Sequence, residues 1–160
     1  GVSNFNKQQI ERCERIVPVT SLQPPYSMIS PEIEQDILPH CLKQNIGVLA
    51  YSPMKSGLLT GSMTKERVAA FPEDDFRKRA VAFQDPALTR NLALAELCRQ
   101  IGARHGRTAD ETAMAGVLRN PAITAAIVGM RSSRQTAGVI GALEFRLSGA
   151  EIQEIANFNG

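Results

Sequence analysis

Short apolar runs alternate along this chain with longer segments in which apolar residues recur at helical spacing. The apolar runs cover residues 17–23, 46–51 and 122–130. Such alternation is typical of βα units, in which successive strands lie parallel and helices join them, so it predicts an α/β fold with a parallel sheet. Residues 1–5, GVSNF, read like the exit of one more buried strand. We therefore expect three strands and the stub of a fourth.

Helix boundaries are indicated by capping residues as well as by periodicity. Asn6 can cap the first helix, and Thr108 begins another with Glu111 at capping-box spacing. Gly47 is a good C-terminal signal for the helix before it. Residues 52–85, which contain Pro, Gly and the charged stretch PEDDFRKR, predict a loop. The helices are predicted over residues 7–16, 33–45, 88–105, from 108 onward, 133–143 and 148–157.

Composition excludes several classes of function. The 160 residues are 43% apolar and 21% charged, which predicts a single domain over residues 1–160. The net charge is +2 without a Lys and Arg run interleaved with aromatics, so we expect no nucleic-acid partner. No apolar run approaches the roughly 18 residues of a membrane-spanning helix, and no basic region with a hydrophobic stretch opens the chain. We expect no membrane partner.

The three cysteines indicate the cellular compartment. Cys13, Cys41 and Cys98 are odd in number, widely spaced and placed in segments predicted to be helical. Neither a disulfide framework nor a zinc pattern fits that arrangement. We therefore expect a cytoplasmic protein without a metal site.

A sheet of three or four parallel strands leaves its edges and one apolar face uncovered. Either the sequence is a fragment whose N-terminal half would complete the fold, or a second copy covers the exposed elements. Isologous self-association is the second route, and it predicts a homo-oligomer if the chain is complete.

Polar residues gather where the predicted strands end. They are Ser3 and Asn4, then Gln23, then residues 51–57, then residues 129–135. In closed barrels of βα units the loops at the carboxyl ends of the strands build the active site. These four stretches can therefore converge on one ligand.

Four motifs carry a resemblance to a known family. GVSNF, LQPPYS, AYSPMKSGLLTG and AIVGMRSSRQ, in this order and spacing, resemble the second half of an aldo-keto reductase. The resemblance covers residues 1 to about 157. It implies about half of a TIM-type (β/α)8 barrel, an NADP(H) cofactor, a small carbonyl substrate and the reduction of that carbonyl to an alcohol.

The resemblance also implies roles for individual residues at the nicotinamide. Ser3, Asn4 and Gln23 would hold the carboxamide, which needs donors and acceptors in a fixed plane. Tyr51 would stack under the nicotinamide ring and leave its other face to the substrate.

Two further groups would bind the phosphates. The loop after Tyr51 would wrap the pyrophosphate with backbone N–H groups, and a helix N-terminus would hold the adenosine phosphate. Arg131 could pair with a 2′-phosphate, which would favour NADPH. Where the family has an acidic residue and an Asn against adenine, this chain has Gly138 and Val139. The residues concerned are Ser52, Met54, Ser56, Gly57 and Leu58 in the loop, and Gly129, Met130, Arg131 and Gln135 at the helix.

The family's proton-donating Tyr and its Lys, Asp and His partners lie in the first half of the barrel, which this sequence does not contain. Tyr26 is the only tyrosine besides Tyr51 and has no matching Asp and Lys. We therefore assign no catalytic residue, and whether this chain is an enzyme stays open.

Three functions remain open. The chain can supply the cofactor-binding half of an NADP(H)-dependent carbonyl oxidoreductase, which we place first. It can be a self-associating half-barrel with dinucleotide binding or another activity. It can also be a phosphate-binding barrel enzyme of different chemistry.

Other chemically capable residues receive structural interpretations. His40 is four residues from Asp36 and can pair with it on one helix, whereas His105 lies near a helix end where the dipole favours a cation. The charged stretch PEDDFRKRA indicates a solvated loop, with a lid over the cofactor as the functional alternative.

Overall fold

The computed structural model describes residues 1–159, apart from the side chains of Arg134 and Asn159. The chain forms two compact units. We call residues 1–53 and 116–129 the sheet unit, and residues 54–115 with the described chain from 130 onward the helical unit. The expectation of a single domain stays a prediction.

A four-stranded parallel sheet forms the sheet unit, with the strands side by side in chain order. Ser3 pairs with Gln23, Leu22 with Val48, and Tyr51 with Ile127. The predicted α/β fold with a parallel sheet is confirmed. The strands are β1 (Val2–Ser3), β2 (Ser21–Gln23), β3 (Gly47–Tyr51) and β4 (Ile123–Ile127).

The first helix, α1 (Lys7–Glu14), begins where its cap predicts. Asn6 accepts a hydrogen bond from the N–H of Gln9, and the Gln9 side chain accepts one from the N–H of Asn6. This reciprocal pair satisfies two N–H groups that a helix start otherwise leaves without partners. The helix ends two residues before the predicted position, Ile16.

The second helix, α2 (Ile37–Lys43), is shorter than expected at both ends. Its predicted first turn is a separate 3₁₀ helix, Glu32–Glu34, and Asp36 caps α2 itself. The left-handed residue after the helix is Asn45, at φ +56°, so Gly47 is not the terminator. Gly47 instead begins β3, where a Cβ would meet Thr124 Oγ1 at 3.3 Å, so its small size serves strand packing.

The core of the sheet unit lies between the sheet and α1 and α2. Leu22 and Val48 on the central strands and Ile10 on α1 are fully buried. Burial of each such side chain stabilises the fold by about 1.5–3 kcal/mol. The cluster comprises Ile10, Val19, Leu22, Tyr26, Leu38, Cys41, Ile46, Val48, Ala50, Val117 and Ala122.

The helical unit contains the helix α4 (Ala87–Arg104), and the helix that follows it, α5 (Ala109–Leu118), begins at its predicted cap. Thr108 and Glu111 exchange the two hydrogen bonds of a capping box, which confirms the predicted start. Arg104 at the end of α4 forms a two-bonded ion pair with Glu154. The helices are α3 (Lys65–Ala69), α4 (Ala87–Arg104), α5 (Ala109–Leu118, shared by both units), α6 (Ser133–Ile140) and α7 (Gly149–Asn159).

The segment expected to be a solvated loop contains short helices held by side chains. Arg77 clasps Asp75 and lies 3.9 Å from the ring centroid of Phe71, which meets Phe83 edge to face. These contacts give the charged stretch a defined conformation, and its interpretation as a lid stays a prediction. Its elements are 3₁₀ helices Lys55–Thr60, Phe76–Arg79 and Val81–Phe83 together with α3.

The histidines and cysteines lie in the helical positions expected for them, with one difference. His40 Nε2 lies 3.9 Å from Glu14, whereas Asp36 caps α2, so the expected pair with Asp36 is wrong. His105 Nε2 lies 2.7 Å from Glu151. The three cysteines are free thiols. Within residues 1–159, no helix is long and apolar enough to cross a bilayer.

Candidate nicotinamide nucleotide site

The carboxyl ends of three neighbouring strands bring predicted site residues onto one edge of the sheet. Ser3 ends β1, Gln23 ends β2 and Tyr51 ends β3. Ser3 and Gln23 are register partners, so their strands end level with each other. Parallel neighbours place their carboxyl ends at the same edge, which is where ligands bind in open and closed α/β sheets.

A direct hydrogen bond joins two of these residues across the sheet. Tyr51 Oη donates to Asn4 Oδ1 at 3.0 Å. Asn4 is in the left-handed region at φ +59°, and its N–H donates to Gln23 O at 3.2 Å. Asn tolerates this conformation better than most residues. The left-handed turn therefore places the Asn4 amide beside the Tyr51 phenol.

The remaining hydrogen-bonding capacity of this edge suits a planar amide ligand. Among the described residues, no protein group accepts from Asn4 Nδ2 or bonds to the side-chain amide of Gln23. Ser3 Oγ donates to Gln23 O at 2.9 Å, so this hydroxyl offers a ligand its acceptor lone pairs rather than its proton. Both kinds of partner that a carboxamide needs are present.

Both backbone groups of Tyr51 are hydrogen-bonded to the segment after β2. Its N–H donates to Pro24 O at 3.0 Å, and its carbonyl accepts from the N–H of Tyr26 at 3.1 Å. The ring is half-buried. Tyr51 thus combines a partly exposed side chain with the anchored backbone that a stacking platform requires. Ser52 follows it at φ +54° and is exposed.

The predicted pyrophosphate loop contains three consecutive residues of positive φ. These are Lys55 at +44°, Ser56 at +54° and Gly57 at +97°. Left-handed conformations cost roughly 1–2 kcal/mol for each non-glycine residue, and strain of this kind clusters at functional sites. Turns that combine left- and right-handed residues also form anion-binding concavities.

Some groups in that loop are already used within the protein. The N–H of Gly57 and that of Leu59 both donate to Met54 O, so neither remains for a phosphate. The side chains of Met54 and Leu58 are 8% and 0% exposed and pack inside. Met54 and Leu58 can therefore meet a ligand only through their backbone atoms.

The predicted adenosine-phosphate residues surround the start of α6. Ser132 Oγ accepts from the N–H of Gln135 at 3.3 Å, and Gln135 Oε1 accepts from the N–H of Arg131 at 2.6 Å. This arrangement caps the helix and leaves the exposed Arg131 side chain at its positive end. Met130 is 44% exposed. A Cβ at Gly129 would meet no atom within 4 Å, so the fold itself does not require glycine there.

Comparison with known proteins adds the deciding observation. The model of the aldo/keto reductase family matches residues 1–159. This chain belongs to the aldo/keto reductase family. The predicted family is confirmed.

The proteins that are similar to this chain are longer than the region that matches it. Aldo-keto reductase YhdN of Bacillus subtilis is 33% identical over 136 residues, which are 84% of this chain and 40% of that protein. Aldo-keto reductase yakc [NADP(+)] of Schizosaccharomyces pombe is 30% identical over 97% of this chain and 46% of its own length. The chain thus spans less than half the length of these relatives.

Solved structures give the same coverage. The glycerol dehydrogenase AKR11B4 of Gluconobacter oxydans matches with a TM-score of 0.90 and 32% identity over 99% of this chain and 47% of that one. A thermostable aldo-keto reductase, Tm1743, matches with a TM-score of 0.69 at 20% identity over 99% of this chain and 47% of its own, and shows the fold alone. The fold of this aldo-keto reductase chain corresponds to about half of such a (β/α)8 barrel.

Part of the predicted site lies together within the sheet unit. Asn4, Gln23 and Tyr51 share one edge of the sheet unit, with Ser3 beside them. The phosphate-binding assignments to the helical unit stay predictions. The helical-unit residues are Met54, Ser56, Gly57, Leu58, Met130, Arg131 and Gln135.

A buried network behind Tyr51 was not anticipated from the sequence. Tyr26 is 2% exposed and donates from its phenol to Glu34 at 2.5 Å. Burial, followed by the Glu34 hydrogen bond, raises the pKa of Tyr26 well above the ordinary 10. A catalytic proton donor needs a pKa closer to neutrality, so Tyr26 is unsuited to that role. Only the LQPPYS motif gave any signal at this position.

A separate groove lies between α1 and α2. It encloses about 620 Å³ and contains none of the predicted site residues. Its walls carry charges of both signs. The lining residues are Lys7, Glu11, Glu14, Arg15, Gln35, Asp36, Pro39, His40, Lys43 and Gln44.

Proposed function

We propose that this chain supplies the NADP(H)-binding residues of an oxidoreductase that interconverts small carbonyl compounds and alcohols. The observation that carries the proposal is the hydrogen-bonded pair of Tyr51 and Asn4 beside Gln23 at the carboxyl ends of β1 to β3. An aromatic face next to unpaired amide groups suits a flat ring that bears a carboxamide, which is the reactive end of a nicotinamide cofactor.

The residues of the sheet unit would orient the nicotinamide. Asn4 Nδ2 would donate to the carboxamide oxygen, and Gln23 would accept from the carboxamide nitrogen, because each amide presents the complementary group. Tyr51 would shield one ring face, so hydride would leave from the other. The cofactor supplies the hydride, and the protein contributes its orientation.

The residues of the helical unit would bind the phosphates. Gly57, whose N–H is already bonded to Met54 O, would let the backbone approach the pyrophosphate closely, and the exposed Ser56 would offer its hydroxyl. Arg131 at the positive end of α6 would pair with a 2′-phosphate and favour NADPH over NADH. The S. pombe relative carries NADP(+) in its name, which supports this preference.

The carbonyl substrate is proposed from the relatives. One similar solved structure is a glycerol dehydrogenase, so a small polyol or carbonyl compound is a reasonable class. We assign no proton donor to residues 1–160 because Tyr26 is buried and hydrogen-bonded to Glu34. The helical placement of three free cysteines favours a reducing cytoplasm.

Cofactor titration tests the proposal. Purified full-length protein is titrated with NADPH while nicotinamide fluorescence is followed, and an aromatic aldehyde is then added to measure loss of NADPH absorbance. We expect saturable binding that Gln23→Ala weakens by about tenfold, equivalent to one lost hydrogen bond in a desolvated site. Gln8→Ala, on the exposed side of α1, is the matched control. Absence of NADPH binding in the wild-type protein would refute the proposal.

Self-association is a second candidate, favoured by the edge position of β4. Ile127 on this strand is 43% exposed, and β4 pairs with β3 alone among the described strands. A second copy pairing along β4 would cover that edge. Light scattering on the chromatographed protein would report twice the monomer mass if this candidate is right, and the monomer mass would exclude it.

A further inference from the structure

Tyr26 is bonded at both ends to groups that lie far apart in the sequence. Its backbone N–H donates to the carbonyl of Tyr51 at 3.1 Å, and its phenol donates to Glu34 Oε1 at 2.5 Å. The side chain is 2% exposed, within the hydrophobic core of the sheet unit. Tyr26 therefore links the core to the end of β3.

Arg119 completes the connection from the other side. It lies between α5 and β4, and its guanidinium donates to both Glu34 oxygens at 2.9 and 3.1 Å. The two side chains are 30% and 27% exposed, so water screens this pair only in part. Both bonds come from one nitrogen, Nη2, which holds the two carboxylate oxygens against the Arg119 guanidinium.

Glu34 thus receives one hydrogen bond from Tyr26 and two from Arg119. Glu34 itself belongs to the 3₁₀ helix Glu32–Glu34. The Glu34 carboxylate therefore joins three segments of the sheet unit: the one after β2, the one before α2 and the one before β4. Removing one donor from such a carboxylate costs more free energy than removing one partner of a hydrogen bond between neutral groups.

Both backbone groups of Tyr51 depend on this segment. Its N–H donates to Pro24 O and its carbonyl accepts from Tyr26, so residues 24–26 hold the end of β3 from one side. The Tyr51 backbone sets the direction of its Cα–Cβ bond, and the hydrogen bond from the phenol to Asn4 holds the ring at the far end. A shift of residues 24–26 would therefore tilt the ring and lengthen its 3.0 Å bond to Asn4.

We propose that Tyr26, Glu34 and Arg119 form a positioning network that fixes Tyr51 as the stacking platform for the nicotinamide ring. This inference rests on the proposed NADP(H) binding and adds to it three residues that do not touch the cofactor. Their effect is on the orientation of Tyr51, so it is confined to the nicotinamide end of the ligand.

Two ligands separate positioning from general stability. NADPH contains the nicotinamide, whereas 2′,5′-ADP contains only the adenosine phosphates. In full-length protein we expect Tyr26→Phe and Arg119→Met to weaken NADPH binding by about five- to tenfold. Binding of 2′,5′-ADP should change by less than about twofold. Arg119→Lys should restore part of the NADPH affinity because it returns one donor.

Matched variants complete the test. Arg99→Met removes an exposed arginine that pairs with Glu96 on α4 and should leave both affinities unchanged. Glu34→Gln keeps the size of the side chain and an acceptor for the Tyr26 phenol. It replaces Tyr26→Phe or Arg119→Met in the test if either of those variants fails to fold. Equal weakening of both ligands, or unchanged NADPH binding by folded variants, would overturn the network. Failure of the wild-type protein to bind NADPH would overturn the proposed function and this inference with it.

Discussion

Tyr51 and Asn4 are 47 residues apart, yet the Tyr51 phenol donates a 3.0 Å hydrogen bond to the Asn4 amide oxygen. The bond exists because β1 and β3 end at the same edge of a parallel sheet, with β2 between them. It directs the amide nitrogen of Asn4 away from the phenol and holds the aromatic ring in one place. This pair is the structural basis for the nicotinamide site that we propose.

Substitution of Tyr51 separates its ring from its hydroxyl. We expect Tyr51→Ala to weaken NADPH binding by about five- to 150-fold, because a stacking face worth about 1–3 kcal/mol is lost. Tyr51→Phe keeps the face and loses only the bond to Asn4, so its effect should stay within about fivefold. Fluorescence titration measures both. Equal losses for the two variants would argue against stacking.

Substitution of Asn4 tests the left-handed turn at φ +59°. Asn4→Ala should lower the free energy of unfolding by about 1–2 kcal/mol, since it adds left-handed strain and removes the bond to Tyr51. Asn4→Gly loses the same bond but adopts positive φ without strain, so it should cost about half as much. Urea unfolding compares them. A glycine variant less stable than the alanine variant would contradict the backbone argument.

Arg131 tests the preference between the two cofactors. We expect Arg131→Met to weaken NADPH binding by about tenfold or more, because charge-assisted hydrogen bonds contribute about 1.5–3 kcal/mol. Binding of NADH, which lacks the 2′-phosphate, should change by less than about twofold. Parallel titrations with both cofactors give the ratio. A parallel loss of both affinities would show that Arg131 does not read the 2′-phosphate.

The Glu151 carboxylate should make the stability of the helical unit sensitive to acid. Burial raises the pKa of this carboxyl, but hydrogen bonds from Ser148 and His105 outweigh burial and hold it below 4.5. A carboxyl whose pKa is lower when folded stabilises the protein above pH 4.5, and that contribution disappears as pH falls through the folded value. We expect Glu151→Gln to cost about 1 kcal/mol at neutral pH and nothing in strong acid.

Denaturant unfolding between about pH 7 and about pH 3 checks the Glu151 prediction. The matched control is Glu154→Gln on the same helix, whose more exposed pair with Arg104 should contribute less than the Glu151 contacts do. A pH-independent difference between Glu151→Gln and the wild-type protein would exclude the carboxylate as its source.

Substitution of Leu58 tests whether its side chain packs in the core or contacts the cofactor. It is fully buried, so Leu58→Ala should lower the free energy of unfolding by about 2–5 kcal/mol. Leu42→Ala, at a site 52% exposed, is the control and should cost less than about 1 kcal/mol. Chemical unfolding measures both. A small effect at Leu58 together with weaker NADPH binding would restore a direct role for its side chain.

Several elements could be predicted because their signals are local. The caps at Asn6 and Thr108 and the buried strand at 46–51 each depend on residues within one turn or one strand. The end of α2 could not be predicted in this way, because Asn45 and Gly47 both tolerate positive φ. Strand pairing decided between them, since the N–H of Gly47 donates to Thr20 O in the sheet.

The sequence by itself determined a parallel α/β sheet and the polar residues that end its strands, since periodicity and motif spacing are local properties of a chain. Only the tertiary structure decided which of their hydrogen-bonding groups remain for a ligand. Ser3 directs its proton to Gln23, and Gly57 directs its N–H to Met54. It likewise placed Arg119 on Glu34, 85 residues away. Such partners depend on how distant segments pack, which no local pattern encodes.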